Sequence, residues 1–208
     1  FGPSQNVVMA DASGRIGWTI SGFIPKRLGF DGSTPVPWST DCRWDWGSQA
    51  PRPSLVDPES GVLFTANNRV AGWEYAPAIG ETWDPGYRAS RIRDLLDQKP
   101  AHDEQSLLDI ALDTRVEMMD AWHQRFTEAI QSLDGGDAGR ARNLSKAWNG
   151  TAAADSRSYV MVQAFREVVE DALLSPLVAP VAEAMEVYKN KFPAREEAVE
   201  AILRTRPL

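Results

Sequence analysis

Cysteine and histidine are nearly missing from this chain. Of 208 residues only Cys42 is a cysteine, which excludes an internal disulfide and leaves the redox compartment open. His102 and His123 are the two histidines, and together with one cysteine they offer none of the ligand spacings of a zinc site. The sequence therefore points away from metal catalysis through His or Cys. A basic excess is also missing: the formal net charge is -7, whereas neutralising phosphates requires a positive face, so no nucleic-acid partner is expected. No apolar run approaches the roughly 18 to 20 residues of a membrane span, and no charged-then-apolar leader opens the sequence, so no membrane partner is expected. The common catalytic signatures are absent too. There is no G-x-S-x-G elbow, no Walker lysine loop, no H-E-x-x-H and no G-x-G-x-x-G.

What remains is the composition of an ordinary globular protein, 43% hydrophobic and 25% charged, with enough length for one substantial core. Tryptophan is the outlier, with 8 residues, six of them before residue 87. The texture changes near Gly86. Before it, Gly and Pro recur between short β-prone runs, the pattern of strands and long ordered loops. Residues 6–10 and 15–22 read as two strands joined by the tight turn Asp11-Ala12-Ser13-Gly14. About forty residues with little periodicity follow, and 61–66 reads as a short buried strand. After Gly86 apolar residues take helical spacing. Helices are expected over 87–98, from Asp103 through Phe126 and Ile130 as far as Asp134-Gly135-Gly136-Asp137, over 138–148, over 155–174 with a stop at Pro176, over 180–191 and over 194–204. The fold class is α+β, with 1–86 as the strand and loop part and 87–208 as a helical part that is not an independent domain.

One stretch carries candidate chemistry. In GVLFTANNRV, residues 61–70, an apolar run ends on two adjacent amides, Asn67 and Asn68, and Arg88 opens the next helix. Two readings fit these residues. Asn tolerates left-handed backbone and caps loops, so the pair can simply turn the chain. Alternatively, an Asn side-chain N–H at a strand rim can donate to a developing oxyanion. Arg88 on this evidence is either a surface residue of a helix N-terminus or part of a site. Trp44-Asp45-Trp46 offers a further alternative, an aromatic platform of a carbohydrate- or peptide-binding module, against the plainer reading that these rings anchor an irregular loop. The acids Glu196 and Glu197 read as surface residues.

Five stretches in order carry a resemblance: Ala10-Asp11 with Gly14, Ile16-Gly17-Trp18; Gly22 with Pro25 and Arg27; Trp44 with Trp46; Ala66-Asn67-Asn68; and Arg88 with Ile92, Leu95 and Leu96. Over residues 3–98 the sequence resembles the later β-chain of the penicillin acylase family, the N-terminal-nucleophile amidohydrolases, and the helical remainder fits more loosely. The resemblance implies part of an αββα sandwich. It implies hydrolysis of a linear amide bond in a small-molecule substrate by a chain-terminal Ser that serves as nucleophile, with its own α-amine as base. It places Asn67 as the side-chain donor of the oxyanion hole and Arg88 in the hydrogen-bond network around the nucleophile and its amine.

The same resemblance implies that these 208 residues are an excerpt and inactive alone. The partners expected are an upstream α-chain and the N-terminal part of the β-chain, with a second oxyanion donor in the latter. No cofactor or metal ligand is assigned in this segment. The family often holds a structural calcium in the intact enzyme, but the expected acid position falls near Pro77, and the nearest acids are Glu81 and Asp84. A periplasmic or extracellular address follows from the resemblance only. The competing class is a catalytically silent relative built on the same scaffold.

Overall fold

A computed structural model of the chain describes residues 4–80, 83–184 and 195–205. The class is α+β, and the chain forms two compact units, one reaching to Pro100 and the other starting at Ala101.

In the first unit the hairpin forms as the sequence suggests. Strands β1 (Gln5–Ala10) and β2 (Ile16–Ser21) pair antiparallel. The Asp11 carboxylate closes the turn by accepting from Ser13 N at 2.9 Å, Ser13 Oγ at 2.6 Å and Arg15 N at 3.1 Å. Gly14 takes φ +87°, a conformation that costs glycine little. Alternation along β2 turns Trp18 and Ile20 to one side, where they form a small core with Ile24, Ala50 and Ala71.

The forty residues expected to be irregular hold three more strands: β3 (Pro25–Leu28), β4 (Arg43–Gln49) and β5 (Ser54–Val56). β3 and β4 pair with each other, and β5 pairs with β2 to give the sheet order β1-β2-β5. The side chain of Asp57 pins this junction, accepting from Ile16 N at 2.9 Å and pairing with Arg15 Nε at 3.0 Å. Residues 61–66 do not form the expected strand. Both edges of β2 are already taken, by β1 and β5, and an apolar run without a ladder partner stays irregular. It nevertheless packs, with Leu63 and Val70 lying against the Trp18 core. A 3₁₀ turn (Trp73–Tyr75) and the short helix α1 (Ala76–Ile79) follow, and α2 (Tyr87–Leu96) ends the unit. Val8, Met9, Leu55 and Val56 of the two outer strands are exposed.

The second unit is helical: α3 (Glu104–Ala111), α4 (Met118–Gln131), α5 (Gly136–Lys146), α6 (Arg157–Ala184) and α7 (Arg195–Thr205). Asp103 caps α3 in a capping box with Ser106. The single long helix expected from Asp103 is broken, because the chain around Arg115 bonds across to Thr151 instead. Val116 N donates to Gly150 O at 2.9 Å and Ala152 N to Thr114 O at 2.8 Å. Conversely, α6 does not stop at Pro176. It runs through Pro176 and Pro180, which lie four apart on an exposed face where water can satisfy the carbonyls they leave free. Leu174 and Val178 on the buried face hold the helix on both sides. Of the two last helices expected, residues 185–191 and 194 lie outside the described residues.

Met119, Trp122, Phe126 and Ile130 make one apolar stripe of α4, packed with Val162, Val169 and Leu174 of α6 and with Val199 and Leu203 of α7. Glu196, read from the sequence as a surface acid, is buried in this core. Its carboxylate accepts from Trp122 Nε1 at 2.8 Å and pairs with Arg166 Nη2 at 2.7 Å. Amphipathic spacing alone does not show that a charged position can turn inward when a guanidinium and an indole N–H meet it. Arg166 also pairs with Glu170, as does Arg195, at 2.8 and 2.9 Å.

Burial is the largest influence on the Glu170 carboxyl and holds it above its ordinary value, opposed by Arg166 and Arg195 and reinforced by Glu196. The folded chain thus binds this proton more tightly than the unfolded chain. The stability that follows is full below about 4.5, the ordinary value, and is lost as pH rises through the raised one. Between mildly acid and neutral pH, the thermal midpoint of the wild-type protein should fall relative to that of Glu170→Gln, which is neutral throughout. A midpoint difference that stays flat with pH would contradict this.

Candidate functional site

Asn67 and Asn68 are held in different ways. Asn68 serves the turn: its Oδ1 accepts from Ala66 N at 2.9 Å and its Nδ2 donates to Arg69 O at 3.3 Å. Asn67 adopts the left-handed backbone, φ +62°, yet its side chain is not consumed by its own turn. It reaches Arg88 instead, whose Nη2 donates to Asn67 Oδ1 at 3.0 Å. The turn reading and the donor reading are therefore compatible at one residue.

A guanidinium has only donors. The oxygen of the Asn67 carboxamide must face Arg88, and Nδ2 must face away. Asn67 is an exposed residue, and its Nδ2 makes no hydrogen bond among the described residues. What results is an N–H donor of fixed polarity, able to meet a carbonyl or an oxyanion.

Arg88 sits in the first turn of α2, after Gly86, which provides no side-chain cap. A cation is disfavoured there by the helix dipole. Asp84, four residues earlier, offsets this, with Oδ2 at 2.9 Å from the same Arg88 Nη2. The backbone N–H of Asp84 also donates to Asn67 O at 3.0 Å. The three residues thus close a ring in which the two hydrogens of one Nη2 go to an amide oxygen and a carboxylate. The preceding loop is anchored separately, by Arg69 Nη1 to Ala71 O at 2.6 Å and by Arg69 stacking on Trp73, 4.1 Å from the ring centre.

Both sequence-predicted residues, Asn67 and Arg88, are brought together. In the sequence Asp84 is only an acid near the expected metal position, although its spacing four residues before Arg88 is a readable ion-pair signal. That spacing also bears on calcium. Asp84 is engaged by a guanidinium, Pro77 has no oxygen-bearing side chain, and Glu81 lies outside the described residues. No group of three or more His, Cys, Asp or Glu arranged to hold a metal occurs among the described residues.

Other candidate chemistry is absorbed by structure. His123 stacks on Trp148 and lies 2.9 Å from Ser145 Oγ, a hydroxyl–imidazole pair, but Ser145 is only 5% exposed and also bonds Thr127. Trp44 and Trp46 share one face of β4, where Phe30 packs edge-on to Trp44, Phe23 stacks on Trp46, and Arg27 lies over Trp44 at 4.8 Å. Two cavities, about 260 Å³ beside Trp18 and Phe64 and about 410 Å³ beside Trp38 and Trp44, are lined by neither Asn67 nor Arg88.

Comparison with known proteins bears on what this arrangement serves. The family model described as penicillin amidase matches residues 1–206. The chain belongs to the penicillin amidase family. It is 31% identical over 167 residues to the penicillin acylase 2 proenzyme of Pseudomonas sp. (strain SE83), covering 79% of this chain and 21% of that protein. It is 36% identical over 111 residues to the acyl-homoserine lactone acylase QuiP of Pseudomonas aeruginosa, covering 52% of this chain and 13% of that protein. A QuiP of Pseudomonas putida is 30% identical over 188 residues, covering 83% of this chain and 23% of that protein. The chain thus spans at most about a quarter of the length of these relatives.

The left-handed backbone at Asn67 sets how this member of the penicillin amidase family tolerates substitution. Asn67→Gly should cost less stability than Asn67→Ala by about 1 kcal/mol, because glycine accepts φ +62° without strain and alanine does not. Denaturant unfolding of both variants checks this, and equal midpoints would contradict it.

Proposed function

We propose that the intact protein hydrolyses a linear amide bond of a small-molecule substrate, and that this chain supplies one side-chain donor of the oxyanion hole, Asn67. The observation that carries the reading is the Arg88 Nη2–Asn67 Oδ1 hydrogen bond, which turns Asn67 Nδ2 outward as a preset donor. Family membership and the printed names of the relatives, a penicillin acylase and acyl-homoserine lactone acylases, support the reaction class. In this reading a chain-terminal Ser, outside these 208 residues, attacks the acyl carbonyl while its own α-amine takes the hydroxyl proton. Charge gathers on the carbonyl oxygen, where Asn67 Nδ2–H and a backbone N–H from outside the segment meet it. Collapse breaks the C–N bond and the amine leaves with the proton. Water then adds to the acyl-enzyme by the same route and releases the acid. Arg88 orients Asn67 and places a cation near the α-amine, which disfavours the protonated amine and keeps it a competent base.

The partners in this reading are an upstream α-chain and the N-terminal part of the β-chain, completing an αββα sandwich. The exposed Val8, Met9, Leu55 and Val56 are apolar surface that such partners would cover. A periplasmic or extracellular address belongs to the same proposal. Among the described residues no helix is long and apolar enough to cross a membrane.

The test uses the full-length gene product, assayed with penicillin and with an N-acyl homoserine lactone. Asn67→Gly should lower kcat by about 10²- to 10³-fold with KM little changed, because the donor acts on charge that exists only in the transition state. Arg88→Ala should also lower activity. A wild-type kcat in Asn67→Gly would remove the residue from the oxyanion hole.

A further inference from the structure

We propose that Asp84 is a positioning residue for this reaction, holding Arg88 and Asn67 in register and setting how much of the Arg88 charge reaches the site; the inference rests on the amide-hydrolase reading above. Asp84 makes two separate links. Its carboxylate fixes Arg88 Nη2 at 2.9 Å, and its backbone N–H holds the carbonyl of Asn67 at 3.0 Å. Arg88 is 57% exposed along its side chain, and a long side chain in that setting held by one amide oxygen would sample several rotamers. With one hydrogen of Nη2 tied to Asp84 Oδ2, the direction of the other toward Asn67 Oδ1 is set by the planar guanidinium. The outward aim of Asn67 Nδ2 therefore depends on a residue that does not itself face the proposed reacting atoms.

The pair also has an electrostatic consequence. Arg88 beside a free α-amine would oppose protonation of that amine, and the Asp84 carboxylate cancels part of this effect. Asp84→Asn keeps the shape and deletes the charge. It replaces a charge-assisted contact to Arg88 by a weaker neutral one, which loosens the Arg88 side chain and lowers kcat, and it unmasks the Arg88 cation, which moves the acid limb of the kcat/KM profile to lower pH. A residue that merely stabilised the fold would change the amount of active protein without moving that limb.

The experiment compares full-length wild type, Asp84→Asn and Asp84→Glu, with concentrations set by active-site titration and with whichever of penicillin or an N-acyl homoserine lactone the wild type turns over. Asp84→Asn should lose about 10-fold in kcat, less than removal of the donor itself, with KM little changed and the acid limb displaced downward. Asp84→Glu should return the limb to its wild-type position because the counter-charge is restored. Wild-type kcat and an unmoved limb in Asp84→Asn, alongside a disabled Asn67→Gly, would overturn the role of Asp84 while the oxyanion reading stands. Wild-type kcat in both would overturn the two together. Should Asp84→Asn fail to mature, Asp84→Ser decides: lowered kcat with the acid limb displaced downward supports the proposal, and wild-type kcat with an unmoved limb overturns it.

Discussion

One guanidinium nitrogen organises the site. Arg88 Nη2 gives one hydrogen to Asn67 Oδ1 and the other to Asp84 Oδ2. Because arginine cannot accept, this contact decides which end of the Asn67 carboxamide faces outward. An exposed ion pair contributes about 0 to 1 kcal/mol to stability. The weight of the contact therefore lies in direction: it converts an amide of either polarity into a donor with a fixed aim. Such an aim has value only where charge develops at a defined place, as in acyl transfer.

The rest of the first unit holds the two ends of that contact in reach. Asn67 follows an irregular apolar run whose Leu63 packs against the Trp18 core, and Arg69 ties the following loop to Ala71 and Trp73. Arg88 is carried by α2, whose uncapped N-terminus by itself disfavours a cation, and Asp84 supplies the compensating charge. The second unit spends its polar contacts differently. There Glu170, Glu196, Arg166 and Arg195 link α6 to α7 inside an apolar core, and His123 and Ser145 meet in a part-buried pair.

Much of this was readable in the sequence where local chemistry dictates geometry. Asp11 to Gly14 specified its turn through one carboxylate and one left-handed glycine, and Asp103 with Ser106 marked a helix start. The pairing of Asn67 with Arg88 was reachable through motif order, but not through spacing. What escaped depended on distant partners. Residues 61–66 have strand composition but pair with no strand among the described residues, whereas Trp44-Asp45-Trp46 alternates as a strand and finds β3. Pro176 and Pro180 would end an isolated helix, but the burial of Leu174 and Val178 outweighs the bonds they remove. Glu196 looked like surface until Trp122 and Arg166 turned it inward. Asp84 was visible as a letter, and its role needed the fold, because its two links run to Asn67 and to Arg88.

The most direct measurement is a crystal structure of the intact protein bearing a tetrahedral transition-state analogue, such as a phosphonate or boronate of the acyl group it accepts. The oxyanion reading requires Asn67 Nδ2 at about 2.7 to 3.1 Å from the oxygen that mimics the developing charge, with Oδ1 still on Arg88. An Asn67 side chain turned away from that oxygen, or a carboxamide held by Asn68 and solvent with Arg88 elsewhere, would contradict it.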